Sequence, residues 1–436
     1  MKILKAKKMS AKDIAQKLTK LFSELEGCNE EEQKAKIEEM NEVIERMSKE
    51  DFNSIFSGCL LDNLNKMIEE EKLTLENACL LGKHIGYFKV LKCEWIPDFD
   101  YCSLNERFQK MIIDEDEKEE GKDEKLLVDL CECYLMLVHE IHWRLISICV
   151  PYLLKVALNK VEDENAQKEV EMALLALSRI GEYGWIGEQH QKEIKEILKH
   201  HQKHRNLTCL AYYSAWRLLI NGLYGNRKLE QMIVNKLHFA REAGRELNEE
   251  AKCVNWAVKN KKQETEEDIL LMKWLKILHV FIKDCKLWNE EYSELIGSIV
   301  QIFRVAMANH RGISCRCMEL LRGAAGKRNI EIDDLLKGGV FDLILKELQR
   351  PTLNDSFFMN YMICLLEILK RLKKEEDGEA SEAKRKAMKM EIHEMMEEEG
   401  YKDTNTSFHG IFYFIDKTKY YSYQLSMHIS DYSLNV

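Results

Sequence analysis

Along most of the chain apolar residues recur every three or four positions, the spacing that collects side chains on one face of an α-helix. In residues 11–92 this pattern runs through Ile14, Leu18, Leu21 and Phe22, and again through Ile55, Leu60, Leu61, Leu64 and Met67. It predicts a helical N-terminal section over residues 1–113. CEWIPDFDYCS (93–103) holds a proline and two aspartates and reads as a loop. DEDEKEEGKDEK (114–125), a charge run around Gly121, has nothing to bury and predicts a solvated connection or frayed helix end. It marks the expected internal boundary.

Beyond residue 125 the pattern repeats. LISICVPYLLKVALNKVEDENAQKEVEMALLALSRIGEY (145–183) reads as an apolar helix, a polar turn and a second apolar helix ending at Gly181. Similar units occupy 194–223, 294–326 and 338–372. Aligning Leu177 with Trp216 gives a spacing of 39 residues, and Leu320 with Leu366 gives 46. Both lie close to the ~40–47 residues of stacked helical repeats. Stacking is the physical need behind such a pattern, because a lone helix pair cannot hide both apolar faces. Residues 126–373 are therefore expected to form the repeat array, and 374–436 a charged helix followed by an aromatic cap.

CVPYLLKVALNK followed by EVEMALLALSRIG resembles an armadillo repeat, whose second helix leads through an acidic turn into a third with an Ala-Leu-rich core. GGVFDLILKEL (338–348) is similar to the Gly-Gly opening of that family's second helix. The likeness covers 145–373, and the whole chain resembles armadillo-like proteins of uncharacterised activity. It implies an all-α, right-handed armadillo/HEAT-like α-solenoid, and says almost nothing about function. Members similar to importin-alpha line their groove with a W-x-x-x-N ladder. Here Trp256 and Asn260 form one such pair in a charged segment, while Trp216 is followed by Ile220. The ladder is missing, which argues against nuclear-signal recognition of that kind.

Composition sharpens the picture. Among 436 residues only Pro97, Pro151 and Pro351 are proline, consistent with long helices and short turns. The net charge of -10, with both signs mixed along the chain, supplies no basic field for phosphate backbone, so nucleic acid is not expected as the main ligand. No apolar run reaches the ~18 residues of a membrane span, and MKILKAKKMSAKD lacks the apolar core of a secretory signal. Many of the 14 cysteines, Cys79 and Cys364 among them, sit inside apolar helical patterns as small buried hydrophobes. The expectation is a soluble protein of the reducing cytoplasm or nucleus.

The densest chemistry-bearing stretch is CECYLMLVHEIHW (131–143). A zinc-protease helix needs H-E-x-x-H so that two imidazoles share a face. This sequence has H-E-I-H, one residue short. In a continuous helix Cys131 lies about 12 Å in rise from His139 and about 16 Å from His142, whereas ligands of one zinc sit within roughly 4 Å of each other. Packing, with a turn near 139–144, is the expected role of Cys131, Cys133, His139 and His142. RGAAGKR (322–328) lacks the spacing of a phosphate loop, with two residues between Gly323 and Gly326 and Arg328 in place of Ser or Thr. Cys315 and Cys317 are not C-x-x-C and fall on different faces of a helix. Met388, Ile392, Met395 and Met396 form a helical stripe read as docking on the chain's own repeats. No catalytic triad, dinucleotide motif, metal set or cofactor is expected.

A non-enzymatic scaffold or adaptor, holding a protein or extended peptide on the concave face, fits this pattern. Armadillo analogy places the last helix of each repeat there, making Arg179, Arg217 and Arg322 candidates for an acidic peptide. KHHQKHR (199–205) adds a basic patch of Lys199, His200, His201, Lys203, His204 and Arg205, whose simplest role is to meet the negative end of a helix dipole. The alternatives are a regulatory subunit of a phosphatase or ubiquitin-ligase type of complex, and an enzyme with an unrecognised site in a closed pocket. Trp143, Trp185 and Trp216 count as core residues wherever they are buried. Partner identity and oligomeric state are not encoded in any motif.

Overall fold

A computed structural model describes residues 10–92, 102–137, 141–180, 188–254, 256, 266–287, 289, 291–307, 310–327 and scattered positions from 330 to 368. Loop 93–100, His139, Gly181, Trp185, Asn260, Arg328, Leu366 and the methionine stripe with the aromatic end lie outside the described residues, as does the side chain of Trp143. Among the described residues every regular element is helical, with sixteen α-helices.

Local chemistry starts these helices where it should. α1 (Ala11–Leu25) opens with a capping box in which the Ser10 hydroxyl accepts the Asp13 N–H at 3.2 Å and the Asp13 carboxylate accepts the Ser10 N–H at 3.2 Å. α2 (Glu30–Glu45) repeats the device with Asn29 and Glu32, both bonds at 3.0 Å. α3 (Lys49–Ile55) passes through a π-helical turn, Phe56–Leu61, into α4 (Asp62–Glu69).

The chain divides into two compact units, Met1–Leu229 with Lys262–Leu270, and Glu230–Lys261 with Leu271–Val436. In the first unit seven helices follow α4. They are α5 (Leu75–Lys92), α6 (Cys102–Asp116), α7 (Glu124–Leu137), α8 (Trp143–Lys160), α9 (Gln167–Ile180), α10 (Glu188–His204) and α11 (Cys209–Ile220). Their packing is ordered. α5 packs on α7, α7 on α9 and α9 on α11, while α6 packs on α8 and α8 on α10. α6–α7, α7–α8, α8–α9 and α10–α11 contacts tie the two series together, and α2 lies against α5. Trp216, Tyr134 and Tyr212 are fully buried within this unit.

The α5–α7 contact is unusually close because α5 presents Gly82 and Gly86 to it. A Cβ on Gly86 would lie 2.7 Å from Met136 Cβ, and one on Gly82 would lie 2.3 Å from Cys133 Sγ. The four-residue spacing puts both glycines on one helix face. One turn further along α5, buried Lys89 donates to the Leu137 carbonyl at 2.5 Å, meeting the negative end of α7.

The charge run 114–125 lies within the first unit and joins α6 to α7. It is not wholly solvated. Glu115 is 4 % exposed and accepts the Asp123 N–H at 2.8 Å, and Lys122 pairs with Asp116 at 2.6 Å. The run contains its own partners, so a buried carboxylate is tolerated where the charge pattern alone predicts only solvent. The helix break near 139–144 also has a local cause. α7 ends at Leu137, and α8 begins after His142, whose Nδ1 accepts the Arg144 N–H at 3.3 Å.

In the second unit α13 (Phe239–Cys253) packs on α15 (Glu291–Ala306), and α15 on α16 (Arg311–Gly326). Phe239, Phe281 of α14 (Glu266–Asp284) and Tyr292 form an aromatic core, edge-to-face at 4.6 Å and stacked at 5.5 Å. Glu230 of α12 (Arg227–Asn235), 6 % exposed, accepts the Leu287 N–H at 2.6 Å, the Lys286 N–H and the Cys285 thiol at 3.4 Å, tethering the chain after α14.

Glycine positions test the close contact. An open helical site gains up to about 1 kcal/mol from Gly→Ala, and overpacking costs roughly 1–3 kcal/mol. Gly297→Ala in α15, where nothing lies within 4 Å of the added Cβ, is expected to raise the unfolding midpoint. Gly86→Ala is expected to lower it despite the better helix propensity. Denaturant unfolding of the two variants beside the wild type checks this, and stabilisation by Gly86→Ala contradicts the close approach.

Candidate functional site

Two groups of polar side chains, each centred on a buried glutamate, Glu132 or Glu171, lie along the α5–α7–α9–α11 series. On α5, Lys83 points its ammonium at α7, 2.6 Å from Asp129 Oδ1 and 3.0 Å from Glu132 Oε2. The three side chains are 19 %, 21 % and 3 % exposed. Two carboxylates thus share one ammonium in a mostly dry setting. One turn on, Tyr87 donates its hydroxyl proton to Glu171 Oε1 of α9 at 3.0 Å, and Thr208, the N-cap of α11, donates to the other oxygen of Glu171. Glu171 therefore joins α5, α9 and α11 through one buried carboxylate.

Electrostatics follow from this burial. Desolvation pushes the Glu132 carboxyl up to about 7, against the pull of Lys83 and with a push from Asp129 and Glu169. Lys83 itself is held well above the ordinary lysine range, because its two carboxylates outweigh its burial penalty. His84 is driven down to about 4, first by burial and then by Lys168 and Lys83, so its imidazole is neutral.

The cysteines of CECYLMLVHEIHW are core residues. Cys131 and Cys133 are both 0 % exposed, and burial raises both thiols far above their usual range, with Cys149 of α8 adding to the effect on Cys131. Such thiols stay protonated and are poor nucleophiles and poor metal ligands. Among the described residues no group of three His, Cys, Asp or Glu side chains is placed to hold a metal ion. Cys317 is buried and Cys315 half-buried on α16.

KHHQKHR forms the last turn of α10 and the residue after it. Lys199, Lys203, His204 and Arg205 are exposed and His200 is half-buried, its ring 4.5 Å from that of His204 and its Nε2 3.7 Å from Glu162. His201 faces inward, 5 % exposed, stacked 4.1 Å from Tyr212. Its Nδ1 accepts the Leu207 N–H at 2.9 Å, so that nitrogen carries no proton. Burial, with Arg205 and His200 beside it, lowers His201 to about 4. The outward-facing patch consists of the other five residues.

Arg179 and Arg217 occupy a distinctive position. Past its first turn α9 is buried at every residue except Arg179, and past Cys209 α11 is buried at every residue except Arg217. Both arginines are half-buried. Arg322, in the second unit, is half-buried and donates to Asn360 at 2.8 Å. Hydropathy gave no hint that Glu132 and Glu171 would be buried and Lys83 half-buried, because charged residues in a helical pattern ordinarily mark the solvated face.

No protein-family model matches the chain, and no curated protein matches it significantly. A crystal structure of an engineered protein from the Northeast Structural Genomics Consortium is similar over 97% of this chain and 96% of that one, at 12% identity and a TM-score of 0.44. Likeness at that level supports no statement about this chain's fold or role.

Thiol reactivity distinguishes packing cysteines from chemical ones. Under native conditions exposed Cys253 is expected to alkylate fastest with iodoacetamide, while Cys131 and Cys133 label only after denaturant is added. Peptide mapping reads this directly, and native labelling of Cys131 or Cys133 at the rate of Cys253 contradicts it.

Proposed function

We propose that the chain is a right-handed armadillo/HEAT-like α-solenoid that works as a non-enzymatic scaffold, holding an acidic protein segment. The series α5–α7–α9–α11 and α6–α8–α10 supports the solenoid reading. α7, α9 and α11 begin at residues 124, 167 and 209, steps of 43 and 42 residues, within the ~40–47 of such repeats. Each helix leans on its counterparts in the adjoining repeats, so the core is continuous along the array.

The observation that supports the binding reading is that a half-buried arginine is the least buried residue at the matching end of each of two otherwise buried neighbouring helices, α9 and α11. A guanidinium offers five donors in a planar fork and pairs with carboxylates in two parallel hydrogen bonds. Side chains on successive repeats suit an extended ligand, whose carboxylates recur along its length. A reducing compartment, cytosol or nucleus, suits the free buried thiols. No described helix is long and apolar enough to cross a membrane.

Affinity capture from cell lysate with the full-length chain, at low and high salt, tests this reading. Wild type is expected to retain acidic partners that leave at high salt, and Arg179→Gln/Arg217→Gln is expected to lose at least tenfold in capture while keeping its thermal midpoint. Equal capture by a stably folded double variant contradicts the arginine site, and a stoichiometric partner that survives high salt points instead to a dedicated subunit with an apolar interface.

A further inference from the structure

We infer that Glu132, Lys83 and Asp129 form a proton-operated lock between α5 and α7, closed when Glu132 carries a proton and loosened when it does not. The charge count requires it. One ammonium faces two carboxylates, and of these Asp129 is both the closer, at 2.6 Å, and the more exposed, at 21 % against 3 %. Asp129 therefore has water as well as Lys83 to solvate it. An ionised Glu132 adds a second negative charge with almost no water to solvate it, a state that is costly unless the charge is fully paired.

The surroundings reinforce the imbalance. After burial, the charges that act most strongly on Glu132 are Lys83 from α5, Asp129 from its own helix and Glu169 from α9. The neighbouring thiols of Cys79 and Cys133 are buried and protonated, so they bring no cation. Gly82 and Gly86 let the two helices approach closely beside Lys83, which leaves little space for water around Glu132. Protonated, Glu132 becomes a neutral hydrogen-bonding group and the cluster balances as one ammonium and one carboxylate.

The sign follows from linkage. Burial pushes the Glu132 carboxyl from the ordinary 4.5 of an exposed glutamate up to about 7 in the fold, so between these values the native state holds the extra proton. Raising the pH through this window removes stability, and the loss is complete above pH 8. His84 and His201 act in the opposite direction, since both are lowered to about 4 in the fold and cost stability as the pH falls below 6.5. The Glu132 contribution is therefore read as a difference between variants.

Unfolding of the full-length wild type and of Glu132→Gln, which imitates the protonated side chain, is measured by denaturant from pH 5 to pH 8.5. The ratio of their unfolding constants is expected to change on the order of a hundredfold across this range, with wild type losing ground as pH rises. A ratio that does not vary with pH overturns the lock. Should the variant fail to fold, wild-type protein carrying carboxyl-13C glutamate gives an independent answer. One glutamate carboxyl resonance is expected to titrate near pH 7, and completion of every glutamate titration below pH 5.5 overturns the proposal.

Discussion

The contact between α5 and α7 is the constraint on which the first unit depends. Two glycines four residues apart let these helices meet with almost no side-chain layer between them, so Cys133 and Met136 lie directly against the α5 backbone. This closeness brings the Lys83 ammonium within 3.0 Å of Glu132, and it leaves little room for water to solvate the second carboxylate. A larger residue at either glycine separates the helices and removes the reason for the charge cluster. Packing geometry thus decides the electrostatics here.

The same logic extends along the series. Tyr87 reaches Glu171 of α9, and Thr208 caps α11 while donating to that same carboxylate. Buried polar groups with complete partners contribute little net stability compared with apolar packing, but they penalise misalignment, because a shifted register leaves a buried charge without its partner. An array of similar apolar helices has many near-equivalent registers. The bonds from Lys83 and Tyr87 distinguish the right one at α5–α7 and α5–α9. In the second unit Glu230 plays a comparable part, fixing the chain after α14 through backbone N–H groups.

The chemistry that looked most promising along the chain dissolves into packing for identifiable reasons. Cys131 and Cys133 lie on opposite sides of α7 and are both buried, because α7 is enclosed by α5, α6, α8 and α9. His142 is spent on the N-terminus of α8. His201 turns into the core while Lys199 and Lys203 face water, since residues two apart on a helix point about 200° from each other. Arg179 and Arg217, both half-buried, are the least buried residues past the first turn of α9 and past Cys209 of α11.

What the sequence determined by itself is the class of structure. Helix-period apolar positions, capping residues such as Ser10 and Asn29, and the near absence of proline act over one or two turns, and local rules are enough to read them. The helix pair in 145–183 and the break after α7 were legible for that reason. Only the tertiary structure decided which charged residues are buried or half-buried, since Lys83, Glu132 and Glu171 look like any solvated helical face until three other helices close over them. Burial of a charge depends on partners 46 to 84 residues distant in the chain, at Asp129 for Lys83 and at Glu171 for Tyr87. No window along the sequence holds both members of such a pair, so neither the charge cluster nor its proton could be read there.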